Sequence, residues 1–342
     1  MASKINIQEV IDKQEWTDFV APFPLNSMLQ SWNWGEFAKL QGRKVFRLGL
    51  YESDKLVGAS LFTKVTSKRG DYLESHGGPM LDYDNVDYFR LLHDYLIELS
   101  KKEKVHFFRI RPPRFNSEEF IQRFTKMGYF KAPMYFQAEH TMHLNLEPSE
   151  DELLKGMKKN TRYYVRKGEQ GGVSIRFSKD RADIDLLFDL YEKTVERHDF
   201  VPYNKEYFLH EFDTFIVDNL VELVFAEYNG ETIGGAMIIR FGTTGYYHHS
   251  GSVRLDPDVY ANYLLQWEVI KRLKQQGMKM YDFFGIAPND DPNHPRAGLT
   301  KFKRGFGGER VRLMHTLDFP INHLRYWPLY VFVKYERWRR GW

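Results

Sequence analysis

The chain has 342 residues, more than one hydrophobic core ordinarily organises, so two compact units are expected. Hydrophobic residues make up 42% of it and the net charge is only +3, which fits a folded globular protein and carries no overall signature of a nucleic-acid binder. Cysteine is absent, which excludes disulfides, thiolate zinc sites and cysteine nucleophiles.

Residues 1–16 are polar and mixed in charge, with no basic region leading into an apolar one, so no secretory signal is readable. No run of about 18 apolar residues follows anywhere, and a soluble cytoplasmic protein is expected. The first clear pattern is strand, polar turn, strand around Leu50-Tyr51-Glu52-Ser53-Asp54-Lys55-Leu56-Val57-Gly58. A helical pattern over residues 86–101 and a short strand, Phe107-Phe108-Arg109-Ile110, come next. Pro148 and Ser149 then precede an acidic helix start at Glu150-Asp151-Glu152, and a domain boundary is placed there.

Beyond it, Lys155, Lys159, Arg162 and Arg166 recur at helical spacing and are expected on one helix face. Such a stripe suits either a phosphate backbone or a solvated surface. Residues 184–195 read as a helix, followed by Glu196-Arg197-His198-Asp199-Phe200, whose charges read as a helix cap. Tyr203 and Tyr207, four apart, would present two hydroxyls on one face. A second strand, turn, strand pattern spans Ala226 to Gly235, and Tyr246-Tyr247-His248-His249-Ser250-Gly251-Ser252 follows it. Strand alternation would put His248 and His249 on opposite faces, and the G-x-S-x-G elbow is missing, so the segment reads as a strand end lining a cleft and not as a serine hydrolase. Asp290, Asp291 and His294 lack metal-ligand spacing, and no metal site is expected. Leu299 to Gly308 interleaves Lys301, Lys303 and Arg304 with aromatics and glycines, which suggests a loop for an anionic substrate. The tail from residue 324 mixes seven aromatics with basic residues. It suits packing back onto the fold, the commoner fate of such helices, or resting on an anionic membrane surface.

The two hairpins are related. Gly58 and Gly234 lie 176 residues apart, and so do Phe107 and Phe283, with a long helical pattern between each pair. Two copies of an α/β unit follow from this: a hairpin, a crossover helix and a further strand, giving a mixed sheet with helices on its faces. Pro112-Pro113 follows the first copy where the basic loop follows the second, so that loop reads as an addition.

Taken in order, Gln30-Ser31-Trp32-Asn33-Trp34, His76-Gly77-Gly78-Pro79, Lys159-Asn160-Thr161-Arg162-Tyr163, His249-Ser250-Gly251-Ser252, Tyr260 to Trp267, and Asp282-Phe283-Phe284-Gly285-Ile286 with Phe302-Lys303 resemble the Fem family of peptidoglycan bridge aminoacyltransferases, most closely its FemX-like short members. The resemblance implies two tandem acyltransferase domains of the GNAT type (α/β, in the α+β sense). The expected boundaries are residues 1–147 plus 317–342 for the first domain, completed by the returning C-terminal segment, and 148–316 for the second. It implies an aminoacyl-tRNA donor and a muropeptide precursor as acceptor, in nucleotide-linked or lipid-linked form. No cofactor and a monomer are expected, with peripheral contact to the inner membrane surface as one of the two readings of the tail. The coiled-coil arm of larger relatives has no room between residues 184 and 219.

Lys303 and Phe302 match the family's catalytic Phe-Lys pair, the lysine stabilising charge near the transferred acyl group. Tyr207 matches a tyrosine of the acceptor pocket, and Tyr203 stands where relatives often carry an arginine. Lys39 falls near the family's phosphate-binding lysine, Arg304 is placed with the acceptor residues, and the stripe Lys155, Lys159, Arg162 and Arg166 is assigned to tRNA. Two rivals stay open. An acyl-CoA-dependent N-acyltransferase would want glycines where Pro257-Asp258-Val259-Tyr260-Ala261-Asn262 stands, and a non-catalytic tRNA or RNA-binding protein would use the basic stripe alone.

Overall fold

Asn229 and Gly230 take left-handed backbone angles (φ 52° and 81°), as a two-residue hairpin turn demands, and they join β10 (Val221–Tyr228) to β11 (Glu231–Phe241). One repeat earlier, Ser53 at φ 57° joins β2 (Lys44–Glu52) to β3 (Lys55–Val65). Each hairpin carries a register shift four positions before its second strand begins pairing, between Leu50 and Tyr51 and between Ala226 and Glu227, again 176 apart. The duplication seen in sequence therefore extends to backbone irregularities. These features come from a computed structural model, which describes residues 5–67, 70–134, 138–198, 202–254 and 259–339. Asp199 and Phe200 of the expected helix cap, Pro257 and Asp258 of the coenzyme A comparison, and Arg340 and Trp342 of the tail lie outside them.

In chain order the first repeat runs β1 (Ile5–Glu9), α1 (Lys13–Val20), α2 (Trp32–Leu40), β2, β3, β4 (Tyr72–Ser75), β5 (Met80–Leu81), α3 (Val86–Lys102), β6 (Phe107–Ile110), α4 (Glu118–Lys126) and β7 (Phe130–Lys131). β8 (His140–Asn145) closes that repeat, and the second runs α5 (Glu150–Gly156), α6 (Lys159–Gln170), β9 (Ser174–Ser178), α7 (Ile184–His198), α8 (Lys205–Ile216), β10, β11, β12 (Thr244–Ser252), α9 (Ala261–Gln275), β13 (Met280–Gly285), α10 (Ala297–Arg304) and β14 (Glu309–Arg312). The chain ends with β15 (Leu317–Pro320) and α11 (His323–Arg339).

The sheets are built alike. One has the order β1-β2-β3-β4-β6-β15-β7, the other β9-β10-β11-β12-β13-β8-β14. In each, the pair joined by the crossover helix is parallel (β4 with β6, β12 with β13), as a strand-helix-strand connection requires. α3 starts on an Asn85 cap and buries Leu92, Leu96 and Leu99, while α9 buries Leu264, Leu265 and Leu273. Each sheet has its own apolar core.

The chain divides into compact units at 1–139 with 312–342, and 140–311. This differs from a boundary at 147/148, because β8 pairs forward with β13 (Tyr281 with Leu144, Asp282 with His143) and sends Met142, Leu144 and Leu146 into the second core. The Ser149 capping box is real but marks only the start of α5. β8 follows the first repeat yet completes the second sheet, and β15 follows the second repeat yet lies between β6 and β7 of the first. Each repeat thus donates its closing strand to the other. The basic segment is also no addition: α4 and α10 occupy matching places after β6 and β13.

Candidate active site

The site grows from the end of β13. The ladder with β8 slips between Asp282 and Gly285, and Phe284 takes φ 60°, a left-handed angle that a phenylalanine adopts only under local constraint. Asp282 supplies part of that constraint, since its carboxylate accepts from the Phe284 backbone N–H at 2.8 Å and from the Thr141 hydroxyl. His143 Nε2 lies 3.5 Å from the second carboxylate oxygen. Burial pushes Asp282 up, but His143, Thr141 and the Phe284 amide outweigh it and hold the carboxyl below its ordinary range. His143 in turn is drawn up by Asp282 against its own burial.

The bulge turns two carbonyls onto Lys303. The ammonium donates to Gly285 O at 2.9 Å and Phe284 O at 3.3 Å, and the side chain is 4% exposed. Burial drags this lysine from 10.5 to about 7, Asp282 opposing and Arg296 assisting the fall. Lys303 belongs to α10 and not to a glycine-rich loop. The glycines after it serve packing: a Cβ on Gly305 would sit 2.2 Å from Thr161 Oγ1, and one on Gly307 2.8 Å from Gly156 O. Lys158 N donates to Gly305 O, so the Asn160-Thr161 segment buttresses the end of α10. Phe302 packs on Tyr263 and Phe306 at the margin of the core. Of the expected catalytic pair, the lysine is the buried member.

An aromatic and histidine wall continues from the bulge. The Phe284 ring lies 5.2 Å from His248, which lies 4.1 Å from His249, and both imidazole Nε2 atoms sit 2.8 Å from separate oxygens of Glu211. The two histidines share a carboxylate because β12 slips by one residue against β11 at His248 (Met237 opposes His249, Ile238 opposes Tyr247), which cancels strand alternation. The expectation of opposite faces fails for that reason. Glu211 is fully buried; burial pushes it up, and the two imidazoles bring it to about 2. His249 is pulled down by burial and by His248. These three donor atoms lie within 4.8 Å of one another, close enough to share a cation. Glu211, on a helix 37 residues before His248, carries no sequence signal that would have linked them.

Tyr203 and Tyr207 stack at 4.2 Å and stand edge-on to His249 at 5.7 and 6.0 Å. Three expected residues, Tyr203, Tyr207 and Lys303, are therefore joined through His248, His249 and Phe284, whereas Phe302 packs on Tyr263 and Phe306. Arg304 is drawn elsewhere, to Asp290, which it shares with Arg310. In the other unit Lys39 is exposed and pairs with Glu36 at 2.9 Å. Glu36 also binds Arg47, a buried cation stacked 3.7 Å over Trp32 that sequence reading passed over.

The basic stripe is not one helix face. α5 ends at Gly156 and α6 begins at Lys159, so Lys155 and the other three lie on different helices. Arg162 donates to Lys155 O at 2.8 Å and to Met157 O, closing the exposed end of α5. Lys155, Lys159 and Arg166 remain exposed.

Comparison with known proteins agrees with this architecture. The chain is 24% identical to a Lipid II:glycine glycyltransferase of Staphylococcus epidermidis, over 95% of this chain and 94% of the relative, and 22% identical to one of Staphylococcus aureus with the same coverage. The crystal structure of FemX superposes with a TM-score of 0.85 at 20% identity, covering 96% of this chain and all of that one. A tandem GNAT protein from the clavulanic acid pathway gives 0.57 at 12%, covering 93% and 99%, so the two mixed sheets are GNAT-like. The FemAB family model matches residues 11–233 and 226–334, nearly the whole sequence, and the chain belongs to that family.

Proposed function

We propose that this protein transfers an amino acid from aminoacyl-tRNA to the stem-peptide amine of a lipid-linked peptidoglycan precursor, building an interpeptide bridge at a membrane surface. The observation that carries the reading is the held ammonium of Lys303. It has three N–H donors, of which the Phe284 and Gly285 carbonyls take two, and we assign the third to an acyl oxygen. The lipid-linked acceptor is favoured by the likeness to Lipid II:glycine glycyltransferases over both chains.

In the reaction the acceptor nitrogen attacks the ester carbon, a C–N bond forms, and charge collects on the carbonyl oxygen. A fixed donor at that oxygen is typically worth about 3 to 4 kcal/mol. Collapse breaks the C–O bond to the tRNA ribose, whose oxygen gains the proton the amine loses. Tyr203 and Tyr207 offer a surface for the acceptor, and the exposed Lys155, Lys159 and Arg166 are assigned to tRNA phosphates.

The test supplies tRNA charged with labelled glycine, a lipid-linked precursor and its nucleotide-linked counterpart. Label should pass to the lipid-linked form, and Lys303→Ala should slow transfer by about 10²- to 10³-fold with tRNA affinity retained. Transfer from acetyl-CoA instead, or tRNA binding without transfer, refutes the proposal.

A further inference from the structure

The last helix is apolar on two opposite sides. Tyr326 and Val333 are buried, and Tyr326 donates to Asp318 of β15 while Arg337 donates to Pro133 O, which fixes the inner side. Yet Leu324 is 90% exposed, Val331 65%, Tyr335 54% and Trp338 75%. At 100° per residue these four fall within an arc of about 60°, and Tyr326 and Val333 point about 150° and 170° away from its middle. Packing back onto the fold therefore leaves a stripe of the tail's apolar surface uncovered.

The charges are arranged around that stripe. Lys334 and Arg325 fall about 80° and 100° to either side of Leu324, and Arg339 lies on the same side as Arg325. The helix carries one acid, Glu336, which pairs with Arg339 at 2.9 Å. An apolar stripe with an aromatic at its end, bordered by long basic side chains, matches the boundary between acyl chains and anionic headgroups. The apolar groups enter, and the lysine and arginine heads stay at headgroup level. Among the described residues no helix is long and apolar enough to cross a membrane.

We propose that the outer face of α11 is a membrane-docking surface for bilayers containing anionic lipid. It would hold the first unit against the layer in which the acceptor of the reaction proposed above is anchored. The lipid contact itself does not depend on that reaction.

The experiment is flotation of the full chain with phosphatidylcholine vesicles, with and without phosphatidylglycerol. Wild type should float with the anionic vesicles and be released as salt rises. Val331→Ser/Trp338→Ser should lower partitioning by about tenfold or more on both vesicle types, whereas Arg325→Glu/Lys334→Glu should abolish only the preference for phosphatidylglycerol. All four side chains are exposed, so the urea midpoint of each variant should equal wild type. Wild type staying in the aqueous fraction, or variants floating equally well, overturns the proposal. So does concentration-dependent dimerisation without lipid that Val331→Ser/Trp338→Ser removes, since the face would then belong to a second copy. Vesicle binding without aminoacyl transfer would instead refute the reaction and leave the docking surface standing.

Discussion

Replacing Lys303 with methionine should stabilise the protein while abolishing transfer, and the size of the gain follows from the site. Burial takes the lysine from 10.5 to about 7, a gap of about 3.5 pH units. At about 1.4 kcal/mol for each, keeping this group in the folded chain at pH 7 costs on the order of 4 to 5 kcal/mol. Methionine has similar length and no charge, but it leaves the Phe284 and Gly285 carbonyls without their donor, at a cost of about 1 kcal/mol or more each. The expected net gain is about 2 kcal/mol at pH 7. Because the folded pKa lies below the unfolded one, the unfolded chain binds more protons between about pH 7 and 10.5. Wild type therefore gains stability as pH rises through that window, and the variant lacks this slope. Urea unfolding at several pH values from 7 to 10 reads both quantities. A Lys303→Met variant less stable than wild type at pH 7, or a difference that does not narrow towards pH 10, would show that the lysine is not held at the expense of stability.

Asp282→Asn removes the charge that supports the Lys303 ammonium and should move its titration below about 7. A fall of about one pH unit would cut the protonated fraction at pH 7 from about one-half to about one-tenth, so the rate should drop about fivefold at pH 7 and recover at lower pH, with an unshifted pH profile as the contrary result. Gly305→Ala drives a methyl into Thr161 Oγ1 and should cost about 1 to 3 kcal/mol in urea unfolding, part of which Thr161→Ala should restore; a neutral Gly305→Ala would mean that the end of α10 gives way freely.

What sequence conveys here is what local chemistry determines. Asn229-Gly230 announces its hairpin because few other pairs accept those angles, and Ser149 with Glu152 announces a helix start. The mixed sheets and the Fem resemblance rest on such local patterns in sequence order. Lys301 and Lys303, by contrast, look alike in sequence, yet one is exposed and the other buried, because α10 turns only the second towards the bulge. The inserted residue in β12 that gathers His248 and His249 on Glu211 has no signature in the run Tyr246 to Ser252. The single helix face assigned to Lys155 and Arg162 failed at Met157-Lys158, where the chain leaves the helix to accommodate Gly305.

The return of residues 317–342 to the first domain was implied by the family resemblance, but the matching transfer of β8 to the second sheet was invisible for the same reason, and the exchange has a measurable consequence. β15 contributes Asp318, fully buried, which binds Arg109 of β6 through both oxygens at 2.7 and 2.9 Å and accepts from Tyr326 at 3.1 Å. The guanidinium is 4% exposed, so its charge has little water to fall back on. A buried pair adds little over an apolar replacement of both partners, but removing one partner strands the other and typically costs about 3 to 5 kcal/mol. Asp318→Ala should therefore lower the urea stability of the first unit by about that amount. Arg109→Met combined with Asp318→Leu should recover most of it, since no charge is then stranded. If the single substitution costs under about 1 kcal/mol, the returning segment is an appendage of the first sheet. A large single loss rescued by the double variant makes it a working strand of that sheet, held there by a charge pair drawn from both repeats.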